Sequence, residues 1–248
     1  MKKFMPVEVL QSKSQIAQAR SELRKRGLLF TSSPIQNFWR RFGILGGIKI
    51  GDELKSWDVL KTARFIEDHV KRDAPVLDIG AYASEILCIL HRLGYTRLTG
   101  VDMNPHIVRM PYADKIRYIV SDFMHTPFED GSFAAITAIS VIEHGFNAPA
   151  LLAEMSRLIR PGGYFIASFD YWPDKIDTTS VPFFGMDWKI FSQQEVLAFI
   201  DEARAYNLAP CGNIDLAAEE RPIECAERKY TFAWLVLQKS PHNMITKG

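Results

Sequence analysis

Short apolar runs alternate with amphipathic segments along most of the chain. Residues 76–79 form an apolar run that ends at Gly80, and residues 97–101 form a second run that ends at Asp102. Short apolar runs bounded by small or polar residues are typical of strands that are buried on both faces of a sheet. The same pattern predicts further strands over residues 116–120, 134–139, 164–168 and 230–237.

Segments with helical spacing separate these runs. Val59, Ala63, Ile66 and Val70 recur every three or four positions, which places them on one face of a helix that Ser56 can cap. Ser192 and Glu195 have the spacing of a capping box, which predicts the start of another helix. Similar spacing predicts helices over 15–26, 85–93 and 151–159.

The alternation of strands and helices predicts an α/β fold. It indicates a Rossmann-like, mostly parallel sheet with helices on both faces. The sheet has seven strands if residues 207–214 contribute one of them.

Composition and charge are those of an ordinary globular chain. The 248 residues are 47% hydrophobic and 24% charged, and the formal net charge is +1. This balance gives no general attraction to nucleic acid or to an anionic membrane. Three cysteines without CxxC spacing predict neither a disulfide framework nor a metal site, and no apolar stretch reaches the roughly 20 residues that span a bilayer. We expect a cytoplasmic protein with no metal, no nucleic-acid partner and no membrane span.

Polar side chains follow five consecutive predicted strands. Because the carboxyl ends of parallel strands meet at one edge of an open α/β sheet, where ligands bind, we expect a site at this edge. Packing alone does not explain five such strand ends in succession. The residues concerned are Asp78, Asp102, Asp122, Ser140 with Glu143 and His144, and Ser168 with Asp170 and Tyr171.

The turn after the first of these strands indicates the class of ligand. A turn of small residues before a helix lets a nucleotide approach the backbone. Asp102 lies 22 residues after Gly80, which is the spacing of an acid that accepts both hydroxyls of a ribose. A pyrophosphate site has Gly-x-Gly-x-x-Gly, whereas residues 80–85 contain one glycine. Asp78 would repel a pyrophosphate and would help to hold a cation.

An NAD(P)-dependent oxidoreductase is therefore the less favoured enzyme class. A Tyr-x-x-x-Lys spacing, found in some of these enzymes, does occur at Tyr171 and Lys175. Pro173 lies between them and would break the helix that puts both side chains on one face.

Val-Leu-Asp-Ile-Gly at residues 76–80, followed by Gly-Val-Asp at 100–102, resembles class I S-adenosylmethionine-dependent methyltransferases of type 11. The resemblance implies S-adenosyl-L-methionine as cofactor and a last strand that lies antiparallel beside the fifth. It also implies that the helix after Ser56 belongs to the catalytic domain. We therefore predict a methyltransferase domain over residues 55–248 and an N-terminal extension or lid over residues 1–54, in which residues 38–50 interleave aromatics, arginines and glycines.

The resemblance also assigns cofactor contacts by position. Ala81 and Ala83 depart from the residues common in the family, so Tyr82 and Ala83 crowd the cofactor loop. The implied assignments are Asp78, Ile79, Gly80 and Ala81 near the methionine portion, Asp102 on the ribose hydroxyls, Met103 on the adenine face, Asp122 with Phe123 at the adenine amino group, and Ile139 with Ser140 on the carboxyl side.

We predict methyl transfer to a small-molecule or glycan-like acceptor, at oxygen. An oxygen nucleophile can need a base within hydrogen-bond reach. His144 is the first candidate because it follows the fourth strand, and Asp170 and Tyr171 come next, whereas His125 and Glu143 are predicted to be peripheral.

The segment after the fifth predicted strand indicates the kind of acceptor. Residues 169–179 combine aromatic side chains with carboxylates, a pattern that suits a sugar-containing acceptor. The alternative from another class is a binding or regulatory module that keeps the fold without catalysis.

Overall fold

The computed structural model describes residues 5–30, 48–179, 181 and 185–241. Part of the predicted N-terminal extension or lid, residues 1–4 and 31–47, lies outside these ranges. The described part contains five α-helices and nine strands. The helices are α1 (Lys13–Lys25), α2 (Ser56–His69), α3 (Ile86–Arg92), α4 (Ala148–Leu158) and α5 (Gln193–Ala205). The strands are β1 (Val7–Val9), β2 (Val76–Ile79), β3 (Leu98–Asp102), β4 (Arg117–Val120), β5 (Phe133–Ile139), β6 (Ile159–Tyr171), β7 (Leu208–Pro210), β8 (Ile223–Cys225) and β9 (Arg228–Lys239).

All nine strands form one sheet with a parallel centre. Its order is β1-β9-β6-β5-β2-β3-β4, and β7 and β8 also pair with β9. The pairs β2–β3, β2–β5, β3–β4 and β5–β6 are parallel, and β9 is antiparallel to β6. The predicted mostly parallel sheet and the antiparallel last strand are therefore confirmed.

The predicted count of seven strands is wrong, because β9 accommodates more partners than the sequence pattern suggests. One edge of this long strand pairs with β6. Its other edge pairs in succession with β8, β1 and β7. β1 and β8 have three residues each, which is too short to show an alternating pattern in the sequence.

Helices cover both faces of the sheet, as predicted. Buried residues of α1, α2 and α3 form one core, and those of α4 and α5 form a second core on the opposite face. Alternate residues of β9 contribute to the two cores: Phe232 and Trp234 face the first, and Ala233 and Leu235 face the second. None of the helices in the described ranges is long and apolar enough to cross a membrane.

Two predicted caps have different outcomes. At α5, Ser192 and Glu195 form the reciprocal capping box. At α2, the Ser56 hydroxyl instead donates to the Glu53 carbonyl at 2.8 Å, so Ser56 lies inside the first turn. A 3₁₀ turn, Glu53–Lys55, precedes the helix, and the Asp52 side chain accepts from the Leu54 amide at its start.

We expect Leu235→Ala to lower the free energy of unfolding by about 2–5 kcal/mol, because it opens a cavity beside the strand to which four others pair. Leu235 is fully buried. Leu197→Ala, on α5, is the control because Leu197 is 42% exposed, and this change should cost less than about 1 kcal/mol. Urea unfolding followed by circular dichroism measures both, and equal losses in the two variants would contradict the described core.

Candidate functional site

The turns after β2 and β5 contact each other at the carboxyl edge of the sheet. Gly80 has φ +66°, and a Cβ built on it would lie 2.4 Å from Cγ2 of Val141. Glycine is therefore required here for two reasons: the backbone has a positive φ, and no space is left for a Cβ. Ser140, which follows β5, also has a positive φ, +54°, and its amide donates to the Ser168 carbonyl at 2.9 Å. This hydrogen bond and the contact at Gly80 bring the ends of β2, β5 and β6 together at the edge where a ligand cleft is expected in such sheets.

Asp102 is fixed at this edge by two backbone amides. The Tyr82 amide donates to Oδ2 at 3.0 Å, and the Asn104 amide donates to Oδ1 at 2.8 Å. Each carboxylate oxygen has two lone pairs, so the group can still accept from two further donors. This geometry suits the predicted contact with the two hydroxyls of a ribose. Met103 follows it and is 55% exposed, as a side chain available to pack on a ring would be.

Asp78 is a buried carboxyl group with one unsatisfied oxygen. The Thr137 hydroxyl donates to Oδ1 at 2.6 Å, while Oδ2 is buried and has no hydrogen-bond partner within the described ranges. Burial is the main reason that the pKa of Asp78 rises to about 7, and the charge of Asp102 adds to the rise. A cationic ligand beside Oδ2 would offset this cost.

The remaining predicted cofactor residues surround these two acids. Ala81 is buried, and its amide donates to the Val101 carbonyl, while Ala83 adopts a positive φ of +62° where the family commonly has glycine. Ile139 is half-buried at the end of β5. At the end of β4, Asp122 is exposed and accepts from the Met124 amide at 2.8 Å, and Phe123 beside it is half-buried.

A second group of ionisable side chains lies beside β5 and β6. Glu143 and Asp170 are buried, and each raises the cost of ionising the other. Burial is the first cause of both rises, and the pKa of Glu143 reaches about 8. The Trp188 indole N–H donates to Oδ2 of Asp170 at 2.8 Å. His144 is half-buried, and burial together with the charge of Lys55 lowers its pKa to about 4.

The structure brings His144 and Asp170 to this group but not Tyr171. Neighbouring residues of a strand point to opposite faces, so Asp170 and Tyr171 diverge. The Tyr171 hydroxyl donates to the Leu216 carbonyl at 2.7 Å inside the second core. Burial raises the pKa of Tyr171 above its usual value. Its hydroxyl is therefore engaged in packing on the far face of the sheet.

Three residues of this group are not among the predicted site residues. Glu143 is buried in the group, whereas the sequence suggested a peripheral position. Asp58 is fully buried on α2, where the Ser168 hydroxyl donates to its Oδ2 at 2.7 Å, and burial raises its pKa to about 6. Lys55 lies between Asp58 and Asp170, with its Nζ 4.0 Å and 3.9 Å from their nearest carboxylate oxygens. Lys55 precedes Val59 by four positions, so the apolar stripe of α2 could have indicated that it faces inward.

The residues at this edge fit S-adenosylmethionine. The buried, unsatisfied oxygen of Asp78 suits its positive charge, the missing side chain of Gly80 allows close approach to the backbone, and Asp102 suits its ribose. No cradle for a pyrophosphate is present at the single-glycine turn of residues 80–85.

Comparisons with known proteins agree with this geometry. Residues 77–167 match the family model described as a methyltransferase domain. A sterol 24-C-methyltransferase of Gibberella zeae is 28% identical over 104 residues, which are 39% of this chain and 27% of that protein. A phthiotriol/phenolphthiotriol dimycocerosates methyltransferase of Mycobacterium leprae is 29% identical over 133 residues, 52% of this chain and 48% of that protein. The matches thus span between about a quarter and a half of these curated relatives.

Solved structures share the fold at low sequence identity. The geranyl diphosphate C-methyltransferase of Streptomyces coelicolor A3(2), in a complex with S-adenosyl-L-homocysteine, has a TM-score of 0.59 at 16% identity, covering 93% of this chain and 99% of that one. The [4+2]-cyclase SpnF has a TM-score of 0.60 at 14% identity, covering 96% and 100%. This likeness concerns architecture, because proteins of one fold can catalyse different reactions.

The matched motif region, the fold and the acid-lined edge lead to one conclusion. Residues 77–167 of this chain are similar to a methyltransferase domain, and the fold around them is that of the class I S-adenosylmethionine-dependent methyltransferases, whose cofactor is S-adenosyl-L-methionine.

Proposed function

We propose that this chain transfers a methyl group from S-adenosylmethionine to a lipophilic small molecule. The observation that carries the proposal is the pairing of Asp102, fixed by two amides, with the unsatisfied oxygen of Asp78 across the Gly80 turn. The names of the matched relatives, which are sterol 24-C-methyltransferases and a phthiotriol/phenolphthiotriol dimycocerosates methyltransferase, support a lipophilic acceptor. None of the relatives reported above has a sugar acceptor in its name, so the predicted glycan-like acceptor gains no support.

On the cofactor side, the chain binds and orients. We assign the ribose contact to Asp102, the adenine contacts to Met103, Asp122 and Phe123, and the contacts with the amino-acid portion to residues 78–81. The Tyr82 and Asn104 amides hold the Asp102 carboxylate in place before the ligand arrives. The bound cofactor would supply a methyl group on a cationic sulfur. Asp78 would favour that charge from a buried position.

On the acceptor side, the chain offers two groups that can accept a proton. His144 is uncharged near pH 7 because its pKa is lowered to about 4. Asp170, near the end of β6, is linked to it through Trp188, which forms a β-bridge with His144 and donates its indole N–H to the Asp170 carboxyl group. The sequence predicts methyl transfer to oxygen. With a hydroxyl group as the acceptor, either side chain would take the hydroxyl proton as the oxygen attacks the methyl carbon. Asp170 is buried and His144 is half-buried, which limits the access of water, and alignment of the acceptor would supply much of the rate.

The activity is tested with S-adenosylmethionine that carries a labelled methyl group. The purified chain is incubated with hydroxylated and unsaturated sterols, with long-chain diols, and with hexoses as the comparison. The proposal expects label in the lipid extract, and label transferred to hexoses alone would contradict it.

We expect Asp102→Ala to weaken the binding of S-adenosylhomocysteine by about tenfold or more, since a charge-assisted hydrogen bond contributes roughly 1.5–3 kcal/mol. Asp201→Ala is the control because Asp201 is exposed on α5, far along the chain from this edge. Titration calorimetry gives both dissociation constants, and thermal unfolding shows that both variants fold. An unchanged affinity in Asp102→Ala would remove the ribose assignment.

We expect the affinity for S-adenosylmethionine to rise with pH between 6 and 7. Asp78 has a raised pKa of about 7, so most of it is protonated at pH 6, and the cationic ligand binds its ionised form. The competent fraction then grows about fivefold over this range, and the dissociation constant should fall by about the same factor. Asp78→Asn should bind more weakly and with a flat pH profile. A profile that keeps its slope in Asp78→Asn would assign the titration to another group.

A further inference from the structure

Lys55 holds its ammonium group over an aromatic ring instead of in water. Its Nζ lies 3.2 Å from the centroid of the Phe232 ring, and its side chain is 16% exposed. The nitrogen is buried and has no hydrogen-bond partner in the described part of the chain. Charge-assisted hydrogen bonds are about 2.7–2.9 Å long, whereas the nearest carboxylate oxygens lie at 3.9 Å and 4.0 Å. Among the described residues, the ammonium is therefore held by ring contact and Coulomb attraction.

Three carboxyl groups lie around this one ammonium group. Asp58 and Asp170 are the two nearest carboxyl groups. Glu143 is the third: it is 1% exposed, its Oε2 is buried without a hydrogen-bond partner among the described residues, and both Asp170 and Lys55 act on its charge. Burial raises the pKa of all three groups, that of Glu143 to about 8, so they resist ionisation unless a cation lies beside them. Lys55 is the cation that the described part of the chain places there, and the ammonium group of a ligand could take the same place.

Two further aromatic rings lie beside the Phe232 ring and Asp170. The Trp188 and Tyr230 rings meet edge to face with centroids 5.8 Å apart, and Tyr230 meets Phe232 in the same way at 6.1 Å. Trp188 also donates to Asp170, and Tyr230 is hydrogen-bonded to the same carboxyl group. Ring faces beside carboxylates are the arrangement with which proteins bind ammonium ligands. We call these three rings and the carboxyl groups of Asp58, Glu143 and Asp170 the lysine cage.

The lysine cage adjoins the acceptor side of the cleft. Asp170 is the last residue but one of β6, which pairs with β5, the strand that leads to Ser140. Glu143 and His144 follow Ser140 by three and four positions. A group bound in the lysine cage would lie beside the turn after β5, and Val141 of this turn contacts Gly80. Lys55 itself is attached at the end of a short 3₁₀ turn, and its flexible side chain can leave the cage without a change in the sheet.

We propose that the lysine cage is a recognition site for an ammonium group of the acceptor, and that the Lys55 side chain occupies it when no acceptor is bound. The proposal rests on the proposed function, since it names the acceptor class as a lipophilic amine. A methylated ammonium can also be bound by ring and charge contacts, because Lys55 is held in the cage without a hydrogen bond in the described part of the chain. Entry of the ligand displaces one cation by another and keeps the buried charge balanced.

The test compares choline with 3,3-dimethylbutan-1-ol, which has the same shape and no charge. Lys55→Met keeps the length of the side chain and removes the charge, so it should bind choline about tenfold more tightly than the unaltered chain, with no gain for the neutral alcohol. Lys61→Met is the matched control: Lys61 also lies over aromatic rings, Trp57 and Trp234, but outside the lysine cage. Titration calorimetry measures all the affinities, and Phe232→Leu in the Lys55→Met background should abolish the gain.

The binding of S-adenosylhomocysteine, measured in the same samples, separates this proposal from the proposed function. Retained cofactor affinity with no gain for choline in Lys55→Met would overturn the ammonium site and leave the proposed function intact. An equal gain for the neutral alcohol would also overturn it, because it would indicate an apolar cavity.

A second measurement uses the unaltered chain, in case Lys55→Met does not fold. Reductive methylation with formaldehyde and cyanoborohydride modifies accessible lysines, and peptide mass spectrometry gives the rate at Lys55. Saturating choline should accelerate that rate at least about threefold if it displaces Lys55 from the cage. A rate at Lys55 that does not change with choline would contradict the proposal.

Discussion

The free-energy cost of burying ionised Asp and Glu side chains is the main electrostatic constraint at the edge of the sheet where the parallel strands end. Asp58, Asp78, Glu143 and Asp170 are each at most 5% exposed, and burial is the first cause of every raised pKa among them. Such groups are destabilising unless they are protonated or compensated by positive charge. The chain supplies Lys55 near three of them and, in the described ranges, no hydrogen-bond partner for Oδ2 of Asp78. A cationic ligand is the simplest compensation.

This constraint connects the two sides of the cleft. On one side, Asp78 and Asp102 lie where a positively charged nucleoside would bind, and on the other, the lysine cage already holds an ammonium group. The turns after β2 and β5 join the two sides because Gly80 has no side chain to keep Val141 away. The architecture alone does not determine the reaction, since a cyclase and several methyltransferases share it at comparable TM-scores. The acids at the edge, and not the sheet itself, therefore indicate the chemistry.

The sequence predicted those parts of the structure that depend on local patterns. Buried strands, the helices on both faces, the capping box at Ser192 and the acids at the strand ends all follow from apolar runs and the residues that end them. β1 and β8 could not be predicted, because their three residues acquire strand geometry from β9. The adjacency of Asp170 and Tyr171 did contain a signal: neighbours in a strand face opposite ways, so only one of them could reach the cleft. The lysine cage joins residues more than a hundred positions apart in the chain, and only tertiary structure brings them together.

The central claim is that this acid-lined edge binds a positively charged adenosyl donor. A crystal structure of the chain with S-adenosylmethionine tests it most directly. The account predicts ribose hydroxyls on the Asp102 carboxylate and the charged amino-acid portion within hydrogen-bond or ion-pair distance of Asp78, with Gly80 against the ligand. A structure in which Tyr82 fills this position, or in which the donor binds elsewhere, would contradict the account.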